Sequence, residues 1–141
     1  MKKSTIIFMP LLVLALTLGA IGCGGEAPET LVSGVFTVRA REYYSIEFNS
    51  GMAEVSGSFT STESGGYGND IEVFLCTYRQ FVDWRDGAAG VSGLYWSGRV
   101  RSASFTVDLP EGANTYYLVY NNRFSLFTHK VVTSHVQLTG N

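Results

Sequence analysis

The sequence predicts an all-β chain, an antiparallel β-sandwich of about eight strands that follows an N-terminal export signal. Apolar and polar residues alternate with a period of two from Val32 onward, and turn residues interrupt the alternation at intervals of roughly ten residues. Charged residues make up 16% of the 141-residue chain and hydrophobic residues 45%, which excludes a disordered chain or a coiled coil. Removing the signal leaves about 119 residues, enough for one domain.

The first 22 residues have the layout of a signal peptide. Lys2 and Lys3 precede an uncharged apolar run, which ends in Leu18-Gly19-Ala20-Ile21-Gly22-Cys23. Small residues just before a cysteine resemble the lipobox of bacterial lipoproteins. That resemblance implies that residues 1–22 are removed and that Cys23 becomes an acylated N-terminus. The alternative is a retained transmembrane anchor, for which Pro10 and the glycines make the segment poor.

The lipobox resemblance also implies a location. Gly24 stands where lipoprotein sorting rules associate Asp with retention in the inner membrane, so we expect the outer membrane, or the cell envelope more generally. More than one acyl chain is needed for stable anchoring. Residues 23–31 are then a flexible tether, and residues 32–141 form the sandwich.

The expected strands follow the alternation and the turn signals between them. Residues 103–109 are the clearest case, because every second residue is apolar and no helix could bury such a stripe. Turns are indicated at 49–51, 64–69, 86–87 and 110–114. The strands are expected at 32–39, 42–48, 52–61, 70–77, 91–96, 99–109, 115–121 and 129–138.

One short segment, 79–85, has a helical pattern, with Phe81 and Trp84 on one side. We expect it to cover one end of the sandwich. The strands themselves must form two facing sheets, because a single sheet would leave its apolar face in water. Burial at roughly 25 cal/mol per Å² can then offset chain entropy without a disulfide.

Charge and cysteine content exclude several functions. Without Lys2 and Lys3 the chain has eight basic and twelve acidic residues, a net charge of −4, and nothing in it favours nucleic acid. With Cys23 assigned to lipid, Cys76 has no cysteine partner. Its place in the alternating segment 71–76 predicts a small buried hydrophobe rather than a reactive thiol.

The last third of the chain carries a family resemblance. An aromatic-rich strand at 115–121 leads to Asn122, Phe124 and Ser125 and then to Lys130 and Val132. This pattern resembles the closing strands of the Golgi-dynamics (GOLD) domain, a compact β-sandwich, and implies a jelly-roll or GOLD-like architecture. In that arrangement Asn122 bonds its own turn, Phe124 plugs the sandwich end and Ser125 satisfies backbone groups. Cargo receptors of that family carry a disulfide, which this sequence lacks.

A glycine-rich turn near the middle of the chain is similar to part of the bacterial pre-peptidase C-terminal domain, an accessory β-sandwich of secreted proteins. Asn69, Asp70 and Glu72 follow the glycines and supply oxygen atoms suited to Ca²⁺. Calcium requires about 6–8 oxygen ligands, so a simple turn that begins a strand is the favoured interpretation. A thermal unfolding midpoint that rises with Ca²⁺ and reverts with chelator would support the metal site.

Four aromatic residues lie near predicted turns or strand ends: Tyr67, Trp84, Tyr95 and Trp96. Aromatics in such places form platforms for sugars or peptides, or they close a core. Core packing is the favoured role, and a ligand surface is the alternative.

Sequence motifs for catalysis are missing. There is no Gly-x-Ser-x-Gly and no HExxH motif, and His129 and His135 would lie about 20 Å apart along one strand, too far to share a metal. We therefore expect a non-enzymatic envelope lipoprotein, a binding or structural module with a protein or glycan partner and no required cofactor. The alternative is a calcium- or carbohydrate-binding accessory domain of the pre-peptidase C-terminal type.

Overall fold

The structure is a computed structural model that describes residues 27–51, 54–63, 68–112 and 114–140. The expected signal peptide, Cys23 and Tyr67 lie outside the described residues. Eight strands and one helix are described. They are β1 (Glu29–Val38), β2 (Tyr43–Ser50), β3 (Glu54–Glu63), β4 (Ile71–Thr77), α1 (Tyr78–Arg85), β5 (Tyr95–Val100), β6 (Ser102–Asp108), β7 (Asn114–Asn121) and β8 (Lys130–Thr139). The all-β prediction is confirmed.

The strands form two antiparallel four-stranded sheets. The first sheet has the order β1-β8-β3-β6, and the second has the order β2-β7-β4-β5. The chain passes from one sheet to the other after every strand except β4, which is followed by α1 and then by its neighbour β5. This order is that of a jelly-roll sandwich, as expected from the sequence.

The core lies between the two sheets and follows the period-two pattern. In β3, Val55 and Phe59 are buried, whereas Ser58 and Thr60 are exposed. The second sheet contributes fully buried residues from its central strands, including Tyr120. The inter-sheet cluster contains Val38, Phe48, Val55, Phe59, Ile71, Val73, Leu75, Phe105, Leu109, Tyr116, Leu118, Tyr120, Val132, Val136 and Leu138.

The helix α1 covers the outer face of the second sheet and does not cover a sandwich end, so that expectation was wrong. A capping box begins it: the Thr77 hydroxyl accepts from the Gln80 backbone N–H at 3.3 Å, and the Gln80 side chain accepts from the Thr77 N–H at 2.9 Å. Phe81 stacks flat on Tyr117 of β7 at 4.0 Å. The helix is needed there because β4 and β7 are apolar on both faces.

The strands β5 and β6 differ from their expected positions at 91–96 and 99–109. Ser97 and Gly98 fall between these two expected strands, yet they lie inside β5, where Gly98 has a φ of 67°. The Ser97 hydroxyl accepts a hydrogen bond from the Val73 N–H at 2.8 Å, and the register of β4 with β5 shifts at this point. The irregularity is a bulge within a strand, and the chain changes sheet at Arg101 instead.

The sandwich has two ends with different connections. The chain enters β1 and leaves β8 at one end, which we call the entry end. The opposite end, the far end, holds the β1–β2 turn (39–42), the connection from the end of β3 to the start of β4, the β5–β6 connection at Arg101 and the β7–β8 loop (122–129). A strand of ten residues such as β1 separates the two ends by about 33 Å.

Candidate functional site

The four aromatic residues singled out in the sequence do not form one surface. Tyr67 lies outside the described residues. Tyr95 packs against the inter-sheet core, where its ring stacks on Phe105 at 4.6 Å, so it is not part of a ligand surface. Trp84 and Trp96 both lie on the outer face of the second sheet, on either side of Phe74.

Trp96 is fixed in position and remains accessible. Its ring stacks on Phe74 with a centroid distance of 4.2 Å and an interplanar angle of 5°. Its Nε1–H donates to Glu72 Oε1 at 2.8 Å, and the Asn121 amide donates to Glu72 Oε2 at 2.6 Å. Trp96 nevertheless stays 36% exposed. One face of the indole is therefore held against the protein while the residue keeps contact with solvent at an edge strand.

Trp84 is covered by its neighbours. Its ring meets Phe74 edge-on at 4.8 Å and Tyr43 at 5.1 Å. The guanidinium of Arg123 lies 5.0 Å from the ring centroid and also donates to the Arg85 carbonyl at 3.5 Å. Trp84 thus fastens α1 to the sheet, which agrees with the core role favoured from the sequence.

A polar row runs across the outer face beside Trp96. Arg99, Glu72 and Asn121 are directly paired on β5, β4 and β7, so their side chains share one face. The Arg99 guanidinium lies 4.1 Å from the ring centroid of Phe124. Phe124 is half-buried beneath this cation and lies outside the described core clusters, so the expectation that it plugs the sandwich end was wrong.

The proposed calcium ligands already have protein partners. Asp70 accepts from the Lys130 ammonium at 3.4 Å, and both oxygens of Glu72 accept the hydrogen bonds from Trp96 and Asn121. Asn69 is half-buried before β4. Within the described ranges no three His, Cys, Asp or Glu side chains are grouped to hold a metal. To bind these carboxylates, calcium would have to displace the Lys130 ammonium from Asp70 and the Trp96 indole N–H from Glu72. The thermal unfolding test with Ca²⁺ and chelator remains the test of this site.

The Asn-x-Phe-Ser segment holds the far end together. The Asn122 Nδ2 donates to the carbonyls of Val38, Arg39 and Thr128 at 3.1, 3.1 and 2.8 Å. The Ser125 hydroxyl donates to the Thr128 carbonyl at 3.1 Å. Asn122 therefore bonds its own loop and, beyond the sequence expectation, joins that loop to the end of β1.

Lys130 begins β8 and is buried, with 2% of its side chain exposed. It lies directly opposite Glu63 of β3, whose Oε2 is buried and has no hydrogen-bond partner among the described residues. A buried ammonium is tolerated where opposite charge is close. Lys130 therefore links β8 to the start of β4 through Asp70.

Cys76 is a buried hydrophobe, as the alternation predicted. It lies under α1 with Phe81 and Tyr117, and burial raises the pKa of its thiol to about 12. A thiol with so high a pKa forms little thiolate at neutral pH and is unreactive. Cys76 therefore contributes packing rather than chemistry.

Sequence reasoning missed the far-end surface. Leu126 and Phe127 in the β7–β8 loop are 60% and 84% exposed. Exposed arginines lie at the same end of the sandwich, in the β1–β2 turn, near the end of β5 and in the β5–β6 connection: Arg39, Arg41, Arg99 and Arg101. Each of these residues is unremarkable alone. Alternate turns of a jelly roll share one end, so the grouping follows only once the strand order is known.

Comparisons with known proteins give no assignment. No family model matches the chain, and no curated protein is significantly similar to it. The resemblances to the lipobox and to the GOLD domain stay predictions. Among the described residues, α1 is the only helix, and no described helix has the length and apolarity required to cross a bilayer.

Proposed function

We propose that this chain is a lipid-anchored envelope protein whose jelly-roll domain binds a glycan on the outer face of its second sheet, without catalysis. The observation that carries the proposal is the fixed indole of Trp96. Sugar rings stack their C–H faces on aromatic rings, and an aromatic ring that is already immobile loses little entropy when the ligand binds. The contacts to Phe74 and Glu72 supply that immobility.

The neighbours of Trp96 suit a polar ligand. Arg99 is exposed on the same face, and an arginine fork can donate to hydroxyl or carboxylate oxygens of a sugar. Asn121 is buried beside it and holds Glu72 in place. The second sheet presents Trp96 and Arg99 on β5, which has no further strand beside it among the described residues. The outer face of an edge strand is accessible to a polymer that passes along it.

The arrangement favours binding over chemistry. In the described part of the chain, Glu72 is held by two donors, and the Cys76 thiol is buried under α1. A general acid or base must reach a substrate proton, and a nucleophile must be accessible to one. Glu72 and Phe74 serve to hold the Trp96 indole in place.

The expected test result for the platform is loss of glycan binding on removal of the indole. We expect the full-length chain to co-sediment with peptidoglycan or with one of a panel of immobilised polysaccharides, and Trp96→Ala to bind at least tenfold more weakly, as for other truncated tryptophan hot spots. Tyr78→Ala is the matched control, because Tyr78 is a 57% exposed aromatic on α1. It should bind normally.

Two results would contradict the platform. One is full binding by Trp96→Ala with an unchanged unfolding midpoint. The other is equal loss in Tyr78→Ala, which would place the contact on the helix or show a general effect of removing surface aromatics.

The anchor is tested separately at Cys23. Expression in a bacterium that lipidates proteins should yield an N-terminal peptide that begins at Cys23 and carries acyl mass, recovered in the membrane fraction. Cys23→Ser should leave the precursor uncleaved and unacylated. An unmodified, cleaved product from the unaltered chain would end the lipoprotein assignment and leave the glycan platform standing.

A further inference from the structure

We infer that the far end of the sandwich is a second binding surface, which docks on anionic lipid bilayers by inserting Leu126 and Phe127. These two residues are among the most exposed large hydrophobic side chains that the structure describes, and they are adjacent in the chain. Phe127 is 84% exposed. The inference does not require the glycan platform on the outer face of the second sheet, although Arg99 lies where the two surfaces meet.

The apolar pair stands on a fixed base. The Thr128 carbonyl accepts hydrogen bonds from the Ser125 hydroxyl and the Asn122 amide, which closes the loop immediately on both sides of Leu126 and Phe127. The Arg41 N–H donates to the Ser125 carbonyl at 3.0 Å and to the Asn122 carbonyl at 3.1 Å. Leu126 and Phe127, the tip of the β7–β8 loop, are therefore held by a hydrogen-bonded loop base. Binding does not have to order this loop first.

Three arginines lie beside this tip. The backbone N–H of Arg41 makes the hydrogen bonds just given, the backbone carbonyl of Arg39 accepts from the Asn122 amide, and the Arg99 guanidinium lies over Phe124, two residues before Leu126. None of the three forms an ion pair with a described residue. Three carboxylates lie at the same end: Glu42 is exposed in the β1–β2 turn, whereas Glu63 lies opposite Lys130 and Asp70 is paired with it. The border of the tip is therefore cationic although the whole chain is acidic.

The opposite end has the reverse charge. Glu29, Glu54, Asp108 and Glu111 lie at the strand ends and turns of the entry end, where Arg79 is the nearby base. The domain is consequently polarised along its strands. An anionic surface would attract the far end and repel the entry end, which orients the domain before contact.

A bilayer with anionic lipids is the occupant that uses both features together. Phenylalanine and leucine gain free energy at the acyl boundary, and each arginine near an anionic surface adds an electrostatic attraction. A soluble polyanion would engage the arginines and leave Leu126 and Phe127 in water. A protein partner would need a pocket to receive two protruding side chains, whereas a bilayer receives them without one.

The test places a fluorescent reporter at the tip of the full chain. Phe127→Trp is reconstituted through its own N-terminal segment into unlabelled vesicles, and vesicles with brominated acyl chains are then added. The signal of the unaltered chain, which has Trp84 and Trp96, is subtracted. Brominated lipid quenches a nearby indole, so quenching reports entry of the tip into the added bilayer and not attachment of the N-terminus. A chain that proves to be unanchored reports in the same way.

We expect quenching with phosphatidylglycerol-containing vesicles and little with phosphatidylcholine alone. Adding Leu126→Ser should weaken the response more than tenfold. Adding Arg39→Gln together with Arg41→Asn should weaken vesicle binding about thirtyfold, because each arginine near an anionic surface contributes about 1 kcal/mol. Asn is chosen at position 41 because it tolerates the left-handed backbone conformation of Arg41, whose φ is 65°. Val35→Ser is the matched control, because Val35 is 66% exposed on β1 away from the tip. It should change nothing.

Three results would overturn the inference. They are absence of quenching with anionic vesicles, equal quenching with both lipids, and binding to heparin or polyglutamate that depends on the arginines but not on Leu126. The last result would make the far end a polyanion site.

Discussion

Gly57→Ala is expected to lower the free energy of unfolding by about 3 kcal/mol, because a methyl group at this position meets backbone that cannot move away. A Cβ on Gly57 would lie 2.4 Å from the His135 carbonyl oxygen and 2.7 Å from the Val136 Cα. Both atoms belong to β8, the central neighbour of β3. To relieve the contact, β3 and β8 would have to separate, which disturbs the hydrogen bonds that join them.

Gly51→Ala is the control for that substitution. Nothing lies within 4 Å of a Cβ at Gly51, and its φ is not in the left-handed region. Alanine there should change stability by no more than about 0.5 kcal/mol, or raise it slightly by restricting the unfolded chain. Urea unfolding of the two variants beside the unaltered protein measures both effects. Equal stability of the two variants would contradict the tight approach of β3 to β8.

Asn122→Ala is also expected to lower the free energy of unfolding by about 3 kcal/mol, because it removes buried hydrogen bonds. The two N–H groups of its amide are shared among three carbonyls, those of Val38 at the end of β1, Arg39 and Thr128, and Asn122 is fully buried. Removal leaves those acceptors with poor replacement partners, at a cost of roughly 1–3 kcal/mol for each that water does not reach.

The exposed Asn114 at the start of β7 provides the control for Asn122. Asn114→Ala should be neutral within about 0.5 kcal/mol. Amide hydrogen exchange of Arg41, whose N–H is bonded to the Asn122 and Ser125 carbonyls, should accelerate in Asn122→Ala and not in Asn114→Ala. Unchanged protection at Arg41 would show that the backbone bonds alone hold the far end.

The sequence contained enough information for the strands and for the role of Cys76. Period-two alternation is typical of a strand with one face in water, and together with the turn residues it located β3 and β8 to within two residues. The expected ranges 70–77 and 115–121 also match β4 and β7 closely, although these two strands are apolar on both faces because α1 covers the second sheet. The position of α1 depends on which sheet has an apolar outer face after the strands have paired. The local sequence pattern therefore could not predict where α1 packs.

The candidate sites were predictable only in part. Trp96 was recognised as a candidate, but its role depends on Phe74, Glu72 and Asn121, which meet it only through strand pairing. Tyr95 was grouped with it because the two are adjacent in sequence, although adjacent strand residues point to opposite faces. The arginines of the far end come from the β1–β2 turn and from the end of β5, which are distant in sequence, so their grouping requires the strand order.

The most direct measurement of the central claim uses the two tryptophans of the sequence. Labelling the full chain with 5-fluorotryptophan gives one ¹⁹F resonance for Trp84 and one for Trp96, assigned with Trp96→Phe. Titration with soluble fragments of a glycan that the protein retains should shift the Trp96 resonance to saturation and leave that of Trp84, which lies between Phe74, Tyr43 and Arg123, in place. Saturable binding that leaves the Trp96 resonance unmoved would contradict the account.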